Sequence, residues 1–77
     1  MKPTTHIGNI IIQTLKEKER SIAWLARQLG CNAANLGRLL RDNQHIHSEL
    51  LWRISKVLKE NLFVYYAEEF EEKFKEE

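Results

Sequence analysis

Apolar residues recur every three or four positions along the whole chain, and nowhere do they alternate with polar ones as a half-buried strand requires. Ile7, Ile11 and Leu15 predict a first helix from Thr5 to Glu19, beginning once Pro3 is past. Ser21 suits the N-cap of a second helix, with Ile22, Leu25, Ala26 and Leu29 on one face and Gly30 ending it. Asn32 suits the N-cap of a third, with Leu36, Leu39 and Leu40 inward and an end near Asp42 and Asn43. His47 or Ser48 opens a fourth, whose stripe is Leu51, Ile54, Val57 and Leu58. Asn61 opens a fifth through Leu62, Phe63, Tyr66, Phe70 and Phe74, its first half expected to pack on the core. The pattern predicts one all-α domain over residues 1–77, with a four-helix core at 5–60 and a C-terminal helix at 61–77.

Three residues in this pattern meet separate steric demands. Ala26 is small where two helices must cross closely. Gly30, four residues on, takes a positive φ at least cost. Leu36, six further, inserts between the helices, and Leu25, Leu29 and Leu39 complete the seam. Together they predict two helices hinged at Gly30.

In these features "LARQLGCNAANLGRLL" (25–40) resembles the core motif of the phage-repressor/Cro-like (XRE) helix-turn-helix family. "IGNIIIQTL" is similar to that family's first helix, and "SELLWRISKVLKENLF" to its fourth and the lead into a fifth. The resemblance spans residues 7 to 63. It implies a compact five-helix, lambda-repressor-like fold and a sequence-specific, transcription-regulating DNA-binding protein. It also implies that helix 32–42 enters the major groove, usually in a homodimer on a two-fold site. The sequence departs from the family pattern at Ile22, Trp24 and Gly37, none of which lies in the seam. Trp24 stands where an acidic residue would complete a capping box with Ser21.

Charge sharpens this picture. Residues 1–59 carry ten Lys and Arg against four Asp and Glu, a net +6, whereas residues 60–77 carry two Lys against seven Glu, a net −5. A basic body suits a polyanion and an acidic tail points away from it. On a projection of the third helix, Ala34, Arg38 and Arg41 face outward, with Asn35 and Gly37 on the flanks. Arg pairs with guanine and Asn with adenine, each pairing worth roughly 1–3 kcal/mol of discrimination. Arg38 and Asn35 are therefore the expected base readers, with Asn32 and Arg41 beside them. Ala33, Ala34 and Gly37 leave little bulk and admit a close approach of the backbone. Ser21, His45, His47 and Ser48 are the expected phosphate contacts, where backbone N–H groups at a helix start favour an anion.

Other chemistry finds little support. His45 and His47 alternate as in a loop, and with His6 and the single Cys31 they make no familiar zinc spacing. Neither a Ser-His-Asp set, a carboxylate pair nor a Gly-rich phosphate loop is present, so neither an enzyme nor a cofactor is expected. One cysteine excludes an internal disulfide and suits a reducing, cytoplasmic setting. The apolar run Ile10-Ile11-Ile12 is too short for a leader or a membrane span. Cys31 is expected to fill the core beside the turn, Trp52 to be partly buried, and Trp24 to pack within the chain or at a dimer surface. The competing function is a non-enzymatic protein-interaction module using Trp24 and the fifth helix.

Overall fold

The computed structural model describes residues 6–42 and 45–74, with side chains through Glu72. Five helices follow in order: α1 (Ile7–Glu17), α2 (Ile22–Leu29), α3 (Ala33–Arg41), α4 (Ser48–Leu58) and α5 (Val64–Phe74). Among the described residues there is no strand. Thr5 and Asn43, expected at the edges of the first and third helices, lie outside the described residues.

Local chemistry accounts for the boundaries. The Trp24 backbone N–H donates to Ser21 Oγ at 3.0 Å and the Asn35 N–H to Asn32 Oδ1 at 2.9 Å. The Leu50 N–H donates to His47 Nδ1 at 3.3 Å. Each cap satisfies one of the donors that a helix start leaves without an intrahelical partner. Gly30 ends α2 at φ 72°, and the Cys31 N–H then donates back to the Ala26 carbonyl at 2.9 Å. Two further helix ends use the same left-handed turn without glycine. Glu19 and Lys59 both sit at φ 58°. Because Glu19 turns, the Arg20 N–H reaches the Leu15 carbonyl at 2.9 Å, and α1 stops at Glu17 rather than running to Glu19.

The core is assembled from the predicted stripes. Ile7, Ile11 and Leu15 meet Leu25, Ala26 and Leu29, Leu36 and Leu40, and Leu51, Ile54 and Leu58, and all are buried. Helix α3 packs on both α1 and α2, and α2 also on α4. The α1–α3 crossing is very close: a Cβ on Gly8 would overlap the Leu40 carbonyl oxygen. Ile46 adds a buried plug between the exposed His45 and His47.

Besides the end of α1, five expectations fail. Val57, expected in the buried stripe of the fourth helix, is only half-buried. Leu39 is only half-buried, because it projects beside the Leu36–Leu40 line rather than along it. Trp52 is 54% exposed, since it stands on the face of α4 opposite Leu51, Ile54 and Leu58. Cys31 is exposed, the chain having already left the buried face of α2 at Gly30. The fifth helix begins at Val64, not Asn61. Asn61 Oδ1 accepts the Phe63 N–H at 3.2 Å in a local turn, and the Leu62 N–H goes to Ser55 Oγ at 3.3 Å. Leu62 is buried and Phe63 half-buried within that turn, so both anchor the start of α5 without belonging to it. Beyond them Val64, Tyr65, Tyr66 and Phe70 are exposed. The molecule is accordingly longer than it is wide, 43 × 23 × 23 Å. No described helix is long and apolar enough to cross a membrane.

Candidate nucleic-acid interface

The α2–turn–α3 unit presents one side of α3 to solvent. Leu36 and Leu40 anchor its inner side, and at 100° per residue this turns Ala34, Asn35, Arg38 and Asp42 outward. Ala33, Ala34, Asn35, Arg38 and Arg41 are all exposed, while Gly37 is buried. The two arginines differ. Arg38 makes no hydrogen bond or ion pair with the described residues. Arg41 folds back over Gly37, where a glycine Cβ would lie 3.0 Å from both Nη1 and Nη2. The space left by the missing side chain is therefore occupied by a neighbouring guanidinium, and Gly37 does not offer open backbone to a partner.

The three caps leave useful atoms unspent. Ser21 Oγ accepts from Trp24 and keeps its own O–H to donate. Asn32 uses its carbonyl oxygen and keeps its NH₂. His47 accepts through Nδ1, so in the neutral ring the proton sits on Nε2 and is available outward. All three are exposed, as are His45 and Ser48. Helix starts with side-chain donors and residual backbone N–H groups suit the oxygens of an anion.

Four other described cations are engaged elsewhere. Arg53 Nη2 donates to the Leu29 carbonyl at 2.6 Å, tying α4 to the last turn of α2 just before the Gly30 hinge. The Arg20 guanidinium lies 4.8 Å from the Trp24 ring centre, and Lys56 Nζ lies 4.7 Å from that of Trp52. Lys18 pairs with Glu60 at 3.3 Å, both partly exposed, so the pair adds little stability. Trp24 is half-buried and packs on the core, in accord with the intramolecular reading.

Beside the exposed face of α3 lies an open groove of about 430 Å³. Its walls are Cys31, Asn32, Asn35, Leu36, Arg38 and Leu39, with Leu50 from the first turn of α4. Thus Asn32, Asn35 and Arg38 line it together, whereas Ser21, His45, His47 and Ser48 do not. The groove and the Arg53 clamp were both missed from the sequence. The half-apolar flank Leu39–Leu50 was the available signal for the first, but both leucines fit a core stripe equally well. Among the described residues no three His, Cys, Asp or Glu gather as a metal site would require. No protein-family model, curated protein or solved structure matches the chain.

Proposed function

We propose that this chain is a sequence-specific double-stranded DNA-binding protein of the XRE helix-turn-helix type, acting as a transcriptional regulator. The observation that carries the reading is the outward face of α3, where Asn35 and Arg38 stand exposed next to the Asn32 cap. Arg38 reads a guanine edge in the major groove and Asn35 an adenine edge. Asn32 and Ala34 bring the start of α3 close to the bases, with Ala33 beside them. The donors left on Ser21, His47 and Ser48, with His45 and Arg41, hold phosphates and set the register. A second copy of the chain occupies the related half-site.

Selection from a random duplex library at moderate and at high salt tests this. The expected outcome is one enriched motif, with an affinity whose logarithm falls linearly with that of the salt concentration. Absent enrichment and absent or salt-independent binding overturn it. The reading then preferred is a protein-interaction module, which the 54% exposure of Trp52 on the outer face of α4 favours.

A further inference from the structure

Two features of the molecule remain without a role. One is the groove between α3 and the start of α4, whose apolar floor is Leu36, Leu39 and Leu50 and whose rim carries Arg38. Its volume of about 430 Å³ lies within the roughly 300–1,000 Å³ that ligand sites occupy. The other is α5, which carries exposed Tyr66 and Phe70 one turn apart, with exposed Glu71 at the flank of that face and Glu68 on the far side of the helix. The two features both present apolar surface and are opposite in charge. The groove sits on a body of net +6, and α5 lies in a segment of net −5.

Within one chain they stand apart. Leu62 fixes the start of α5 at the Ser55 hydroxyl, late in α4, whereas the groove takes in Leu50 near its beginning. Among the described residues, none of α5 lines the groove. We propose that the groove is a docking site for the acidic, aromatic helix α5 of a second copy of this chain. The aromatic side chains of the incoming helix cover Leu39 and Leu50, and Glu71 at the flank of that face reaches Arg38. The docked helix covers Asn32, Asn35 and Arg38, so it competes with DNA for the same surface, a consequence that rests on the function proposed above. The self-docking itself does not.

Cys31 provides a native reporter, since it is the chain's one cysteine, is exposed, and lines the groove. Its rate of alkylation by a maleimide is to be followed in the full chain as protein concentration rises, together with mass by sedimentation. At low salt the rate is expected to fall about threefold or more between about 10 μM and 1 mM, as for a weak association. High salt is expected to restore it, as is the variant Glu71→Lys, whose helicity is checked by circular dichroism. A rate independent of concentration overturns the proposal. So does a rise in mass with Cys31 still fully reactive, which places the contact between two copies of α5 instead. Duplex DNA added at low protein concentration supplies the separate arm: its failure to protect Cys31 counts against the DNA reading and leaves the docking result standing.

Discussion

Gly8 on α1 lies so close to the carbonyl of Leu40 on α3 that no side chain fits between them. The contact is with backbone, which cannot swing aside, so the crossing of these two helices depends on a missing Cβ. Gly37, inside α3, is the opposite case. A Cβ there meets only the end of the Arg41 side chain, at 3.0 Å.

The two glycines should therefore respond oppositely to alanine. Gly8→Ala forces α1 from α3 and is expected to cost about 1–3 kcal/mol, as overpacking does. Gly37→Ala displaces a flexible guanidinium and gains helix propensity, for a net stabilisation of up to about 1 kcal/mol. Chemical denaturation of both variants checks this. Equal losses would show that Gly37 also serves packing.

The contrast shows what could be read from the residues. Gly30 was legible because a turn between two apolar stripes requires a positive φ, a demand set by neighbours in sequence. Gly8 was not, because its demand comes from Leu40, thirty-two residues away. Likewise the N-caps Ser21 and Asn32 are local chemistry and follow from the pattern, which left His47 and Ser48 as alternatives and placed a cap at Asn61 where the chain makes a turn instead. The orientation of Trp52 and Leu39 depends on which side of a stripe the partner helix occupies, which periodicity alone leaves open. For the candidate site, Asn35 and Arg38 were legible as outward residues. The folding of Arg41 onto Gly37 was not, since a long side chain chooses its contacts only once the helix exists.

Arg53 links α4 to the Leu29 carbonyl at 2.6 Å, beside the hinge. Arg53→Met keeps the aliphatic stem and removes the donor. A hydrogen bond from a charged group is worth about 1.5–3 kcal/mol, and a loss toward the lower end of that range is expected because the side chain is partly exposed. The salt dependence of DNA binding should not change. A reduced salt slope would instead make Arg53 a phosphate contact.

Lys59 ends α4 in a left-handed conformation, φ 58°, at which a Cβ is strained. Lys59→Gly removes that strain and is expected to stabilise the fold by about 0.5–1 kcal/mol net of the entropy glycine loses on ordering. Thermal unfolding measures it, and a lowered melting temperature would contradict the geometry.

Partial desolvation on the packed side of an otherwise exposed ring, and next the charge of Glu69, hold the Tyr66 hydroxyl above the ordinary tyrosine value of 10.0. The folded chain thus keeps this proton when the unfolded chain has begun to release it. Stability is unaffected well below pH 10 and falls as pH rises past it, toward the higher folded value. Comparing wild type with Tyr66→Phe from about pH 9 to 11 isolates this contribution from the lysines, which titrate nearby. The variant should lose less stability over that window, and parallel curves would refute the assignment.

Arg38 and Arg41 provide the last comparison, because they are the same residue type on the same helix with different surroundings. Arg38 is exposed and makes no bond with the described residues, while Arg41 rests on Gly37. A guanidinium that reads a base makes a contact only the correct base pair can return, whereas one that meets phosphate is indifferent to sequence. Arg38→Ala is accordingly expected to cost roughly 1–3 kcal/mol on the preferred duplex and to relax selection at a single position. Arg41→Ala should weaken all sequences alike and reduce the salt slope by about one unit. Affinities of both variants for the selected duplex and for a scrambled one, each across a salt series, separate the two roles. If Arg38→Ala weakens both duplexes equally, Arg38 is a phosphate contact, and base reading on α3 would fall to Asn35 and Asn32 alone.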